Sequence, residues 1–261
     1  MSRQTQLEIH LTPCLSDNYA FFLHEPDNDL TAVVDTPEVG PIEKALAEKG
    51  WTLTHIFNTH HHWDHAGGNL ELKEKTGCTI VGPRAESGRI PGIDVELGDG
   101  DIYEFGNYKA AVFDTSGHTA GHIVYHFPDE HIAFVGDTLF AMGCGRLFEG
   151  TAKQMWNSLQ KIMAWPDDTR LYCAHEYTQA NARFALSVEP GNRDLVKRVK
   201  EVDELRAQNK PTIPTTVGLE KKTNPFLRPM SDNLRKTIHM EDATDLEVFT
   251  KTRQLKDHFR A

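Results

Sequence analysis

Thr59-His60-His61-His62-Trp63-Asp64-His65-Ala66-Gly67-Gly68 holds four of the chain's 14 histidines. The run follows an apolar β-type segment, Leu53 to Asn58, and its two glycines precede a helical one, Asn69 to Lys75. It therefore occupies a strand-to-helix loop, where functional side chains concentrate. His60 and His62 are two residues apart. In extended backbone they project to the same side and can share one metal ion. Asp64 and His65 follow around the turn, where a second ion can sit. Imidazole and carboxylate together suit zinc, iron or manganese. A merely solvated histidine-rich loop is a poor account of these spacings.

Three further segments repeat the arrangement of a polar ligand type just past an apolar strand. Ser116-Gly117-His118-Thr119-Ala120-Gly121-His122 follows a strand ending at Asp114. Val135-Gly136-Asp137-Thr138 and Cys173-Ala174-His175-Glu176 close two others. Each alone is weak: Asp137 reads as a turn residue, His175 as structural, and His122 as a residue opening a strand. Their recurrence is what counts, because strand ends that converge on one crevice would bring them together. Asp35 ends a buried strand and suits either a turn or a residue that orients ligands. His61 is expected to point away from its two neighbours, and Trp63 to pack over or shield the loop.

The surrounding pattern is α+β. Strands are predicted over Leu7–Leu11, Tyr19–Leu23, Thr31–Asp35, Leu53–Asn58, Cys78–Val81, Tyr108–Asp114, His122–Phe127, His131–Val135 and Leu171–Ala174. Helices are predicted over Pro41–Lys49, stopped by Gly50, over Asn69–Lys75, ended by Gly77, and over Thr151–Ala164. After Ala174 the texture turns helical, with Gln179–Val188, Arg193–Gln208 and Thr244–Phe259 separated by a Pro- and Thr-rich connector, Lys210–Pro229. A boundary falls near 170–175, giving an expected catalytic domain over 1–172 and a helical substrate-binding domain over 173–261.

The 261 residues allow one large domain or two modest ones at roughly 100–200 residues each. A formal charge of −10 argues against a nucleic-acid or anionic-membrane binder, which needs clustered cations. Apolar runs are far shorter than the roughly 18–20 residues that span a bilayer. Met1 to Leu11 has no apolar core of signal-peptide length. The expectation is a soluble, unexported protein, cytoplasmic and monomeric. Cys14, Cys78, Cys144 and Cys173 form no CxxC pair and read as reduced core residues.

His60-x-His62-x-Asp64-His65 followed by His118, Asp137 and His175 resembles the metallo-β-lactamase superfamily in its binuclear form, over about residues 7–175. Asn224-Pro225-Phe226-Leu227-Arg228 and the closing Arg253-x-x-Lys256 are similar to the glyoxalase II (hydroxyacylglutathione hydrolase) family, extending the resemblance over essentially the whole chain. The resemblance implies a four-layer αββα sandwich with a C-terminal helical domain. It implies two divalent ions, zinc first and iron or manganese as alternatives. His60, His62 and His118 would hold one ion, and Asp64, His65 and His175 the other. Asp137 would bridge them together with a hydroxide, making Asp64 and Asp137 the candidate catalytic carboxylates.

It further implies a glutathione site. The family's Gly-Cys-Gly-Lys-x-Tyr-Glu-Gly loop stands here as Gly143-Cys144-Gly145-Arg146-Leu147-Phe148-Glu149-Gly150, so Arg146 keeps a cation while Phe148 lacks a hydroxyl. Tyr177 would face the peptide, and Arg253 with Lys256 would take the glycine carboxylate. The implied reaction is hydrolysis of an S-(2-hydroxyacyl)glutathione, S-D-lactoylglutathione, to glutathione and D-lactate, the second step of methylglyoxal removal. A lactonase or another thioesterase on the same centre is the alternative. A mononuclear persulfide dioxygenase would leave Asp64, His65 and His175 without a purpose. A phosphodiesterase or ribonuclease would need a basic surface, and a metal carrier closed coordination.

Overall fold

The computed structural model describes residues 6–260, so Met1–Thr5 of the N-terminal stretch lie outside the described residues. The chain divides into two compact units. One runs to Asp114 and resumes over Ala120–Gly136; the other takes Thr115–Thr119 and everything from Asp137 onward.

The first unit begins with β1 (Glu8–Cys14), β2 (Asn18–Glu25), β3 (Leu30–Val34), α1 (Val39–Lys49) and β4 (His55–Phe57). It continues through α2 (Trp63–Ala66), α3 (Asn69–Thr76), β5 (Thr79–Pro83) and β6 (Val95–Leu97). These strands form one sheet in the order β1-β2-β3-β4-β5-β6. It is antiparallel from β1 to β3 and parallel from β3 to β6. Every residue of β2 is buried, as a strand covered on both faces requires. Phe22, Val33, Ile56 and Ile80 pack with Ile42 and Leu46 of α1 and Leu72 of α3 in one core cluster. Gly50 and Gly77 end their helices in the left-handed conformation that the sequence pattern anticipates.

The unit also contains β7 (Ile102–Phe105), β8 (Tyr108–Asp114), β9 (Ile123–Phe127) and β10 (Ile132–Gly136), paired antiparallel in the order β10-β9-β8-β7. Two pairings place the chemistry. In parallel register Val34 lies beside Phe57, so the residues that follow, Asp35 and Asn58-Thr59, leave neighbouring strand ends together. Ile132 pairs with Phe127, so the end of β10 returns to the start of β9. A Cβ on Gly136 (φ +47°) would come within 2.6 Å of Thr59 Oγ1 and 2.7 Å of His122 Nε2, so only glycine fits that crossing.

The second unit opens with the hairpin β11 (Leu139–Phe140) and β12 (Gly143–Cys144). It proceeds through α4 (Ala152–Met163), β13 (Arg170–Cys173), α5 (Thr178–Val188), α6 (Arg193–Ala207), β14 (Thr215–Thr216), α7 (Val217–Thr223), α8 (Asp232–Thr237) and α9 (Asp245–His258). Thr151 and Thr244 start α4 and α9 with full capping boxes. The Pro- and Thr-rich stretch expected to be a connector instead carries β14, α7 and a 3₁₀ turn over Pro225–Leu227. Thr216 caps α7 by accepting from Leu219 N–H, which supports a helix of only seven residues with Gly218 in its first turn. All four cysteines are buried free thiols.

Candidate metal centre

The first unit supplies four of the seven expected ligands. His60 Nε2 lies 3.0 Å from His62 Nδ1. The His60 and His65 ring centroids are 4.0 Å apart. His65 Nε2 lies 3.5 Å from Asp64 Oδ2. Asp35 organises this cluster from the end of β3. It is buried, it has φ +57°, and its carboxylate accepts three hydrogen bonds. Thr59 donates its N–H to Oδ1 and its hydroxyl to Oδ2, each at 2.8 Å, and His65 Nδ1 donates to Oδ2 at 2.8 Å. Asn58 Nδ2 donates to His65 O at 2.8 Å, and Asn18 Nδ2 to Asp64 Oδ2 at 3.1 Å.

His61 does turn away. Its N–H and Nδ1 both donate to Glu86 Oε2, at 2.8 and 2.7 Å, and Arg89 Nη2 reaches its Nε2. Glu86 Oε1 accepts from Gly121 N–H at 2.9 Å, so one buried carboxylate ties both histidine-bearing loops of this unit. His122 is buried and stacks on His60 at 4.8 Å. Trp63, the first residue of the one-turn α2, is 69% exposed, and its ring lies against Gly67 of the same loop, 3.2 Å from where a Cβ on that glycine would sit.

The second unit supplies the remaining three. Asp137 Oδ2 lies 3.3 Å from His118 Nε2, and Oδ1 lies 3.4 Å from His175 Nε2. His118 Nδ1 donates to Arg146 O at 2.9 Å.

These contacts test whether the residues suit a metal. The Nδ1 of His65 faces a carboxylate and that of His118 a carbonyl, both pure acceptors, so each Nδ1 carries the proton. In the neutral ring Nε2 is then a lone pair, and in both cases it points at a carboxylate oxygen. Two electron-rich atoms so placed suit a cation bound to both. Within each unit, imidazoles beside a carboxylate, with the Asp35 carboxylate behind His65, are the kind of donors and support that suit a divalent ion. All seven residues belong to His/Asp groups of the kind that hold a metal ion.

Of the expected substrate residues, Tyr177 and Phe148 lie beside the second unit's histidines. The Tyr177 ring stacks on His175 at 4.6 Å and 3° and is 38% exposed. Phe148 is 60% exposed, with its ring 5.2 Å from His118 and the Arg146 guanidinium 5.6 Å from its centroid. Arg253 and Lys256, expected to take a carboxylate, are not a solvated pair. Arg253 is 6% exposed; its Nη1 donates to Cys144 O at 3.0 Å and its Nη2 lies 2.8 Å from Asp257 Oδ1. Lys256 is half-buried and donates to Ala180 O at 3.3 Å, near the Phe184 and Phe259 rings. Burial, and then the neighbouring Arg253 cation, bring its ammonium down to about 8.

Residues 17–175 match the Metallo-beta-lactamase superfamily, and residues 176–259 match the Hydroxyacylglutathione hydrolase C-terminus. A hydroxyacylglutathione hydrolase of Maricaulis maris is 53% identical over 255 residues, 98% of this chain and 100% of the relative. The chain belongs to the hydroxyacylglutathione hydrolase family. It is a member of the metallo-β-lactamase superfamily and has that fold, with a helical C-terminal region. Among solved structures, ETHE1 from Myxococcus xanthus aligns with a TM-score of 0.67 at 23% identity, over 97% of this chain and 91% of its own. TTHA1623 in a di-iron-bound form aligns at 0.61 and 21%, over 83% and 98%. At such identities these two likenesses concern the fold alone.

Membership leaves Glu86, Asn18 and Asn58 as supporting residues that sequence reasoning did not reach. Nothing in their spacing marks them. Glu86 sits in a 3₁₀ turn, Arg84–Arg89, and only the folded chain brings it to His61 and Gly121.

Proposed function

We propose that this protein hydrolyses S-(2-hydroxyacyl)glutathione thioesters, with S-D-lactoylglutathione as substrate, releasing glutathione and D-lactate. The observation that carries this reading is 53% identity to a hydroxyacylglutathione hydrolase across the full length of both chains. On the same reading His60, His62 and His118 hold one divalent ion, Asp64, His65 and His175 a second, and Asp137 both, with zinc the first choice. Bound there, the ions supply an acidified water at neutral pH and polarise the thioester carbonyl.

The chain's own residues do the rest. Asp35 fixes the tautomer of His65, and the Arg146 carbonyl fixes that of His118. Tyr177, Phe148 and Arg146 offer an aromatic and cationic wall to the peptide part of the substrate. Lys256 is suited to a carboxylate. Arg253, being buried, acts by holding the backbone at Cys144. The departing glutathione thiolate is a good leaving group, so no side-chain acid of raised acidity is required. We also place the catalytic domain at 1–172 and the substrate-binding domain at 173–261, in keeping with the change of matched family at residues 175 and 176. We further propose a cytoplasmic monomer acting on a small molecule; no helix among the described residues is long and apolar enough to cross a membrane.

The test is hydrolysis of S-D-lactoylglutathione beside a simple lactone and a β-lactam, with metal measured on the same sample. The thioester should be preferred by orders of magnitude, with about two ions per chain. Preference for the lactone, or about one ion under metal excess, would overturn the reading.

A further inference from the structure

The hairpin β11–β12 is anchored at five backbone groups by four buried side chains from three segments of the second unit: α5, α7 with its C-cap, and α9. Asn224 Nδ2 donates to Phe140 O at 3.1 Å and Gly143 O at 2.9 Å. Asn181 Nδ2 donates to Ala141 O at 3.2 Å, and Arg253 Nη1 to Cys144 O at 3.0 Å. Met142 N–H donates to Glu220 Oε2 at 2.8 Å. Glu220 is fully buried, and it also accepts from Asn224 Nδ2 at 2.9 Å and Thr215 Oγ1 at 2.6 Å. Met142 itself has φ +55°, a conformation that non-glycine side chains rarely adopt. A two-residue ladder cannot hold such a turn alone.

What the hairpin carries explains why it must be held. It starts two residues after Asp137 and ends two residues before Arg146. Gly145 N–H donates back to Thr138 O at 3.2 Å, and a Cβ on Gly145 would lie 2.0 Å from Asp137 O. Phe140 sets its ring 5.9 Å from His175 and 5.3 Å from Tyr177. Past the hairpin, Arg146 O receives His118 Nδ1. One short element thus touches or leads into Asp137, His118, His175, Tyr177 and the Arg146–Phe148 segment.

We infer that Asn224 and Glu220, with Asn181 as a lesser partner, are positioning residues: they set the β11–β12 hairpin so that Asp137 and the His175–Tyr177 stack take their working geometry. This gives Asn224-Pro225-Phe226-Leu227-Arg228 a task beyond packing, and it rests on the metal-dependent thioesterase reading above. Asn224 is suited to it because its amide donates to two carbonyls while its Oδ1 accepts from Phe226 N–H at 3.0 Å, which closes the 3₁₀ turn.

The test compares Asn224→Asp, Asn181→Ala, Glu220→Ala and Glu220→Gln with Leu234→Ala, a buried α8 residue outside this network, in full-length protein loaded with Co(II). Aspartate is nearly isosteric with asparagine but cannot donate to either carbonyl. Asn224→Asp should shift the Co(II) d–d absorption bands and lower kcat for the thioester by about 10-fold or more well below its melting temperature. Asn181→Ala, which removes one donor, should move both in the same direction by less, and it serves if Asn224→Asp does not fold. Glu220→Ala removes the acceptor for Met142 N–H and should move spectrum and kcat in the direction of Asn224→Asp, while Glu220→Gln keeps Oε2 as that acceptor and serves as the conservative rescue. Wild-type values in folded Glu220→Ala would overturn the role of Glu220. Leu234→Ala should lower the melting temperature and leave spectrum and kcat unchanged. Wild-type spectra and kcat in folded Asn224→Asp and Asn181→Ala would overturn the inference, as would a Leu234→Ala variant that reproduces their changes. A wild-type protein inactive on the thioester would count against the function reading, while the spectra still judge the positioning.

Discussion

His65 Nδ1 donates to Asp35 Oδ2 at 2.8 Å, with both side chains buried and the same carboxylate accepting two further bonds from Thr59. One residue at the end of β3 thereby sets both the ring of a proposed metal ligand and the start of the histidine loop. Asp35→Ala removes the acceptor that fixes the tautomer without removing any ligand. Metal affinity, measured by competition with a coloured chelator, should fall roughly 10–100-fold while about two ions still bind at saturation. Unchanged affinity would mean that the loop holds itself.

Asp137 is a different case. Its two oxygens face His118 and His175 at 3.3 and 3.4 Å, one imidazole each. Asp137→Ala should therefore damage both ion sites and nearly abolish turnover, whereas Asp137→Asn, which keeps one oxygen, should retain more metal than Asp137→Ala. Elemental content beside initial rates decides it. Full metal and full rate in Asp137→Ala would disprove the shared-ligand role.

The loop from Thr59 to Gly68 was legible because ligand chemistry constrains both residue type and spacing. The long elements were legible because periodicity and punctuation agree: α1 ends at Gly50 and α3 at Gly77, and β8 spans Tyr108–Asp114 as its pattern predicts. The two-residue strands β11, β12 and β14 have no period to read. Neither α7 nor α8 exceeds seven residues, and both depend on a side-chain cap and tertiary packing more than on propensity. The supports of the site were illegible for another reason. Glu86, Glu220 and Asn181 look like ordinary polar residues until folding places their oxygens and nitrogens against particular backbone groups. Arg253 was legible by type, but helical spacing does not reveal that its side chain is buried against Cys144.

Lys256 gives a pH prediction with a definite sign. Its ammonium is brought down to about 8, first by burial and then by Arg253. Below that pH it is charged and attracts a substrate carboxylate; above it the attraction fades. KM for the glutathione thioester should rise as pH passes about 8, with kcat little changed if the contact is equal in ground and transition states. Lys256→Met should remove this rise and cost roughly 10-fold or more in kcat/KM at pH 7, since a charged hydrogen bond is lost. A small thioester without the glutathione portion should show neither effect. The same KM profile in wild type and Lys256→Met would assign the carboxylate to another cation.

Arg228 and Glu189 yield a prediction about stability rather than rate. Arg228 Nε donates to Glu189 Oε2 at 2.9 Å and Nη2 to Oε1 at 2.9 Å, and Asn192 and Ser231 complete the carboxylate's shell. Burial pushes the Glu189 carboxyl up, but the bonds from Arg228, Ser231 and Asn192 outweigh it and hold the group below the usual carboxylate range. A depressed carboxylate contributes stability that is present above its ordinary titration range and is lost as pH falls through the folded value. Arg228→Ala leaves that buried carboxylate short of its cation, at a cost of about 3–5 kcal/mol near neutral pH. Acid should narrow the gap from both sides, because protonating Glu189 weakens the wild-type pair and relieves the variant. Urea unfolding at pH 7 and near pH 4 measures the difference. A gap that stays constant between the two would show that Arg228 stabilises by packing its stem, and that its charge is not what Glu189 requires.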